Sequence, residues 1–184
     1  MPAVIPRPRT DEHAPYYAHY IALVPDGDLV ELLRTQQQET VGMLRAVSDA
    51  QGLYAYAPGK WTIKEVIGHI CDAERIFSYR ALRFARDDAQ ELTGFDENTY
   101  VPAGRFNERR MSDLLDEFEA VRAATIHLFR HMNDRELARR GTANSNPVTV
   151  RAIAYIVAGH ERHHVKLLRE RYGLEKGLGI GVRG

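Results

Sequence analysis

Cysteine is almost absent from this 184-residue sequence, which contains only Cys71. One cysteine excludes an internal disulfide and a thiolate zinc site, and its position within a helical pattern predicts a small buried side chain. An excess of either charge is also lacking, because 25 Lys and Arg balance 25 Asp and Glu. Non-specific binding to nucleic acid or to an anionic membrane relies on such an excess, so neither partner is expected.

Long hydrophobic runs are missing as well, since no stretch approaches the roughly 18 apolar residues that cross a membrane. Residues 1–10 contain proline and arginine and lack the apolar stretch of a signal peptide. With the unpaired cysteine, these features predict a protein of the reducing cytoplasm. At 44% hydrophobic residues, a chain of this length can bury a core without disulfides.

Four stretches with apolar residues at helical spacing predict an all-α protein with the architecture of a four-helix bundle. Before them, residues 1–25 are rich in proline and tyrosine and predict an N-terminal arm that wraps the bundle. The second helix has the clearest start, because Thr62 and Glu65 match a capping box. The predicted helices run from Asp28 to Gly52, from Thr62 to Ala89, from Ser112 to Met132 and from Thr149 to Gly173.

The helices belong to one predicted domain, residues 1–176, followed by a flexible glycine-rich tail at residues 177–184. Between the second and third helices, the segment from Gln90 to Arg110 is long for a loop and predicts a crossover or a site. We expect its part from Phe95 to Tyr100 to roof a pocket, because functional groups often lie on loops. That pocket is expected at the bundle end that carries the start of the second helix.

Three of the eight histidines share the apolar faces of predicted helices. At 100° per residue, His160 and His164 lie on the stripe of the fourth helix, and His69 lies on that of the second. Buried imidazoles need partners, and neutral imidazoles are the commonest metal ligands. Three of them with an open position form a catalytic type of site. The sequence thus predicts one divalent ion here, with separate hydrogen-bonded core histidines as the alternative.

Charged residues of the second helix lie near the same face. Glu65 and Asp72 are placed to accept a hydrogen bond from the imidazole of His69 and so to orient it, or they are exposed helical carboxylates. Arg80 and Arg83 are candidates for binding a substrate carboxylate, with salt bridges to other helices as the alternative.

The segment His160 to His164 also satisfies the H-E-x-x-H pattern of zinc proteases, in which Glu161 would act as the base. The extended protease motif with a third histidine does not follow it. Glu161 also falls outside the inward stripe at 100° per residue. A protease is therefore not the favoured hypothesis.

Two longer motifs resemble those of the DinB/YfiT-like family of metalloenzymes. They are residues 58–75, PGKWTIKEVIGHICDAER, and residues 159–164, GHERHH. Residues 79–84, YRALRF, and residues 94–98, GFDEN, are similar to the DinB_2 branch of that family. The resemblance implies a bundle whose helices run up, down, down and up. It also places the three metal-binding histidines of the family at His69, His160 and His164.

The resemblance further implies a zinc or nickel ion, a homodimer and a small-molecule substrate. Some relatives transfer low-molecular-weight thiols, such as bacillithiol, mycothiol or glutathione, so a metal-dependent thiol transferase acting on electrophilic small molecules is the favoured hypothesis. A metal-dependent hydrolase and a non-catalytic metal-binding or stress-response protein are the alternatives. The ion itself is expected to activate a thiol or water, and no side chain is assigned as a base.

Overall fold

The computed structural model describes residues 5–174, and the predicted tail at residues 177–184 lies outside the described residues. Its α-helices are α1 (Ala18–Ala22), α2 (Leu29–Leu44), α3 (Ile63–Ala85), α4 (Glu97–Gly104), α5 (Met111–Phe129), α6 (Asp134–Ala138) and α7 (Val150–Arg171). The strands β1 (Arg140–Ala143) and β2 (Asn146–Thr149) precede α7.

The four long helices α2, α3, α5 and α7 form the bundle that the apolar periodicity predicts. α3 packs against α5 and α7, and α2 packs against the same two helices. The buried apolar side chains form two clusters, one around Leu33, Phe84 and Ile153 and the other around Ile67 and Phe118. Within residues 5–174, no helix is long and apolar enough to cross a membrane.

Capping residues fix where these helices begin. Asp28 accepts hydrogen bonds from the first turn of α2, and Thr149 accepts one from Ala152 N in α7. Thr62 and Glu65 form the predicted capping box at the start of α3. These side chains accept bonds from helical N–H groups that have no partner within the helix.

Several predicted helix boundaries are wrong. α2 ends at Leu44 rather than near Gly52, and α5 begins at Met111, one residue before the predicted cap. α3 ends at Ala85 rather than near Ala89, because Asp87 adopts a left-handed conformation with φ of 65°.

A short hairpin, which the sequence did not predict, adds to the predominantly helical fold. In it, Arg140 to Ala143 pair antiparallel with Asn146 to Thr149. Asn144 and Ser145 form the turn with φ values of 50° and 58°, as a tight two-residue hairpin turn requires. Each strand has four residues, too few for alternation to stand out in the sequence.

The crossover is anchored at both ends rather than irregular throughout. Leu92 N donates to Thr142 O at 3.0 Å, and Asn144 N donates to Leu92 O at 2.9 Å, which joins the crossover to the hairpin. Asp96 caps α4, which the sequence did not predict. After α4, the ring of Phe106 packs where Gly68 of α3 has no side chain, since a Cβ there would lie 2.3 Å from the ring.

The N-terminal arm is bound to the last helix of the bundle. The buried carboxylate of Glu12 accepts hydrogen bonds from Thr149 Oγ1 at 2.9 Å and from Arg151 Nε at 2.6 Å. Further along, α1 packs on α7 at Gly159, where a Cβ would lie 2.0 Å from Tyr20 O. The absence of a side chain at Gly159 therefore lets the backbone of the arm approach α7 closely.

Candidate metal centre

Three buried histidines bring their Nε2 atoms together between α3 and α7. Nε2 of His160 lies 3.0 Å from Nε2 of His69 and 3.1 Å from Nε2 of His164. One ligand atom from each residue lies within 4.8 Å of the other two. His160 and His164 are one helical turn apart on α7, and His69 comes from the facing side of α3, which is the convergence that the helical phase predicts.

Aromatic rings surround the three imidazoles. The ring of Trp61 lies 4.7 Å from that of His69, and the rings of Tyr20 and Phe77 lie 5.4 and 5.9 Å from that of His160. Tyr20 belongs to α1, so the arm forms part of the wall of the centre. The tyrosine-rich composition of residues 1–25 was the available signal for this contact, although it did not specify which ring reaches the histidines.

Burial keeps these imidazoles neutral at neutral pH. Desolvation lowers the pKa of His69 to about 4. It also holds the pKa values of His160 and His164 well below the ordinary range, and the neighbouring imidazoles add to this effect. A neutral imidazole is the form that binds a metal ion.

The spacing of the ring nitrogens fits a shared divalent ion. Zinc binds imidazole nitrogen at about 2.0–2.1 Å, so two nitrogens at right-angled to tetrahedral positions lie about 2.9–3.4 Å apart. The separations of 3.0 and 3.1 Å fall in this range. His69, His160 and His164 could therefore hold one ion and leave further coordination positions open.

Both carboxylates that were predicted to orient His69 make other contacts in the structure. Glu65 accepts from Thr62 N at 2.8 Å and from Asn107 Nδ2 at 3.0 Å, so it serves the helix cap and the crossover. Asp72 lies 3.7 Å from Arg75. Among the hydrogen bonds of residues 5–174, neither carboxylate contacts His69, so the predicted orienting contact is not formed.

The two candidate arginines have different positions. Arg80 is buried and lines a pocket that reaches the histidines. Arg83 lies outside the residues that line this pocket and bonds to Asp88, Tyr79 and Gln90 near the end of α3. Arg83 therefore forms a salt bridge, which was the alternative prediction for it. Its position outside the pocket does not support the predicted contact of Arg83 with a substrate.

The pocket has a volume of about 370 Å³ and lies beside His69 and His160. As predicted, the crossover contributes to its wall, through Gly94, Phe95 and Glu97. Its position along the bundle was predicted wrongly. The pocket extends along α3 toward Arg80 and the turn of the hairpin rather than toward the start of α3.

The start of α3 is closed by aromatic side chains. The ring of Trp61 packs on His69 there, and the carbonyl of Trp61 accepts from Tyr172 Oη at 2.7 Å. Tyr172 follows the last residue of α7, so this bond joins the beginning of one helix to the end of the other. It leaves the opposite side of the histidines for the pocket.

Glu161 points away from the histidines into a buried polar network. Its carboxylate accepts from Gln36 at 2.7 Å, from Thr40 at 2.6 Å and from Arg122 at 2.6 Å. Arg122 also donates twice to Glu74, each time at 2.8 Å. These bonds occupy the carboxylate that a zinc protease would use as its base.

The network was missed at the level of sequence. The one available signal was Arg122, which lies four residues after Phe118 on the apolar stripe of α5. Its partners lie on other helices, and helical phase alone does not identify such pairs.

Three buried histidines converge beside a small pocket in a helical bundle. These features define the class of the protein as a helical bundle with a candidate trihistidine metal centre. The sequence profile of the DinB superfamily (DinB_2) matches residues 32–168. Because this match covers most of the chain, the protein belongs to the DinB superfamily.

Two solved structures share the fold. YfiT from Bacillus subtilis, a probable metal-dependent hydrolase with an unusual four-helix bundle topology, is 17% identical, with a TM-score of 0.66 over 82% of this chain and 90% of YfiT. A mycothiol-dependent maleylpyruvate isomerase is 15% identical, with a TM-score of 0.63 over 80% of this chain and 62% of the isomerase. At these identities the likeness shows the fold alone. No curated protein matches the sequence.

Proposed function

We propose that this protein is a metal-dependent enzyme that transfers a low-molecular-weight thiol to an electrophilic small molecule. The observation that carries the proposal is the convergence of three neutral imidazoles on one point beside a pocket of about 370 Å³. A divalent ion bound there would supply a Lewis acid that lowers the pKa of a thiol or, in a hydrolase, of water.

The side chains around the pocket favour chemistry away from bulk water. The rings of Tyr17, Phe77 and Phe95 line it, and Tyr20 covers His160 from the arm. Low local polarity strengthens the interaction of a cation with a thiolate, because fewer water dipoles screen it. The imidazoles stay neutral and are held in place by the packing of α3 against α7.

The protein's own cysteine does not supply the sulfur. Cys71 is fully buried in the cluster around Ile67 and Phe118, and burial raises the pKa of its thiol. A buried, protonated thiol is a poor nucleophile. We therefore assign the sulfur to a second substrate. That thiol loses its proton to solvent, its sulfur bonds to the electrophilic carbon, and a leaving group departs with its bonding electron pair.

A metal-dependent hydrolase is the second candidate, and the fold shared with YfiT favours it. The fold shared with a mycothiol-dependent isomerase favours thiol chemistry instead. The proposal further includes zinc or nickel as the ion, a homodimer as the assembly, and the cytoplasm as the location, all of which come from the family resemblance and the composition.

The proposal also includes helices that run up, down, down and up. Three sets of contacts support these directions. Tyr172 after α7 meets Trp61 before α3, so these helices run oppositely. Ser78 and Glu74 on α3 meet Thr125 and Arg122 on α5 in the same order along both helices. Gln36 and Thr40 on α2 meet Ala158 and Glu161 on α7 in the same order along both helices, so α2 and α7 run in the same direction.

Turnover with thiols and electrophiles tests this function. Metal-free, zinc-loaded and nickel-loaded protein would be assayed with glutathione, bacillithiol and mycothiol against 1-chloro-2,4-dinitrobenzene, and with 4-nitrophenyl acetate in the absence of thiol. We expect thiol transfer that requires the metal and is lost in His164→Ala.

The matched control is His163→Ala, which removes the neighbouring half-buried histidine outside the cluster. Rates that do not depend on the metal would reject the proposal. Ester hydrolysis without thiol transfer would favour the hydrolase, and inactivity with every pair would favour a non-catalytic metal-binding protein.

A further inference from the structure

Six charged side chains other than histidine are buried in the described part of the chain. They are Glu12, Lys64, Glu74, Arg80, Arg122 and Glu161. Five of them have an oppositely charged partner: Glu12 pairs with Arg151, Lys64 with Asp49, and Arg122 with both Glu74 and Glu161. Arg80 is the exception, since no carboxylate of residues 5–174 lies within 4.0 Å of its guanidinium.

A buried guanidinium without a partner is unfavourable, because it loses its hydration without gaining an ion pair. Arg80 is 5% exposed, and its Nη2 donates to Thr93 O at 3.0 Å. The hydroxyl of Tyr17 is a second polar neighbour of its guanidinium. A guanidinium has five N–H groups, so most of them are left for another acceptor.

These free donors reach the pocket. Arg80 lines the pocket. Among the described residues, one buried side-chain nitrogen has neither solvent contact nor a hydrogen-bond partner, and it does not belong to Arg80. The N–H groups of Arg80 without a protein partner are therefore accessible to solvent. The pocket continues along one face of α3 through Phe77 and Ala73 to His69. His69 and Arg80 are eleven residues apart, roughly 16 Å along the helix axis, so a ligand that contacts both ends is elongated.

The charged residues that line the pocket fit a ligand with a single negative charge better than one with two. Among the described residues that line it, Arg80 is the one lysine or arginine, and Glu97 contributes a carboxylate to the same wall. A phosphate dianion would meet one cation and one repelling carboxylate there. A carboxylate carries one charge, and its two oxygens match the planar fork of a guanidinium. The rings of Phe77 and Phe95 offer an apolar surface for the rest of the ligand.

We infer that Arg80 binds a carboxylate group, and that the electrophile of the proposed reaction is a carboxylic acid with an apolar body. The acid end lies at Arg80, and the reactive end lies toward His69 and His160. Its assignment as a substrate rests on the proposed function, whereas the binding of a carboxylate by Arg80 does not depend on turnover.

Calorimetric titration with a matched acid and amide tests the inference. The probes are 4-phenylbutanoate and 4-phenylbutanamide, which share shape and differ in charge. Both are titrated into the full-length protein, metal-free and zinc-loaded. We expect the acid to bind at least about tenfold more tightly than the amide in both forms. The metal-free form is needed because a carboxylate can also bind an ion directly.

Arg80→Met is expected to abolish the preference for the acid, and Arg80→Lys to keep part of it, since lysine keeps the charge without the fork. Arg75→Met is the control on the same helix, because Arg75 is partly exposed and paired with Glu117. The acid–amide comparison in the unmodified chain needs no variant, so misfolding of a variant does not affect it.

Equal affinity for acid and amide, no saturable binding of the acid, or a preference that survives Arg80→Met would overturn the inference. A preference for the acid in a protein that transfers no thiol would uphold the Arg80 site and reject the proposed function. Thiol transfer to neutral electrophiles without any preference for the acid would reject the Arg80 site and uphold the proposed function.

Discussion

Arg122 on α5 donates from Nη1 to the carboxylate of Glu161 on α7 at 2.6 Å. Glu161 directly follows His160 in the sequence. The same guanidinium donates twice to Glu74 on α3, five residues after His69. One buried cation therefore links the two helices that carry the histidines. We therefore expect this link to help set the separation of α3 and α7 at the metal centre.

Removing this cation is expected to destabilise the fold strongly. Arg122→Met would leave Glu74 and Glu161 buried without their partner, which costs about 3–5 kcal/mol of unfolding free energy. Urea unfolding of the metal-free protein measures the change. Arg75→Met removes a more exposed pair with Glu117 and should cost about 1 kcal/mol or less. A loss for Arg122→Met no larger than that of the control would contradict the role assigned to the network.

The contact between the arm and α7 gives a second prediction. In Gly159→Ala the new Cβ would lie 2.0 Å from Tyr20 O, a backbone atom, so α1 must move away from α7. We expect a loss of about 1–3 kcal/mol, as for other overpacked sites. Amide hydrogen exchange in residues 18–22 should also become faster.

Gly42→Ala is the matched control for that substitution. Gly42 is an exposed helical position in α2, and a methyl group there would meet no packed neighbour within 4 Å. Alanine should therefore stabilise the protein by up to about 1 kcal/mol through its helix propensity. Unchanged exchange of α1 in Gly159→Ala would show that the close approach does not hold the arm.

The attachment of the arm should depend on pH. Its bond to Arg151 lowers the pKa of Glu12 below the ordinary value of 4.5. The folded protein therefore binds fewer protons at Glu12 than the unfolded chain does. The contribution of Glu12 to stability is complete above pH 4.5 and is lost as the pH falls through the lowered pKa of the folded state. Glu12→Gln should cost about 1–3 kcal/mol at pH 7 and less below about pH 4.

Unfolding curves of Glu12→Gln and of the unmodified chain at pH 7, 5 and 3 measure this effect. Asp11→Asn is the control, because Asp11 is an exposed neighbour whose loss should change the curves little. A cost of Glu12→Gln that is the same at pH 3 and pH 7 would contradict the proposed link between arm and α7.

Helical periodicity was sufficient to place His69, His160 and His164 correctly, because burial on one face of a helix is a local property of the sequence. The hairpin was missed because its strands have four residues each. The acceptor role of Glu161 depends on Gln36, 125 positions earlier, and the different positions of Arg80 and Arg83 depend on the crossover. Such pairings between distant segments are set by tertiary packing, which one sequence does not specify.

The central claim is that His69, His160 and His164 hold one divalent ion. Calorimetric titration of zinc into metal-free protein, with His160→Ala and His163→Ala as the matched pair on α7, tests it most directly. We predict one equivalent of zinc for the unmodified chain and for His163→Ala. In His160→Ala we predict a loss of affinity of more than about 100-fold, beyond the effect of altering a residue that only supports a ligand. Full binding in His160→Ala with loss in His163→Ala, or no zinc bound by the unmodified chain, would contradict the claim.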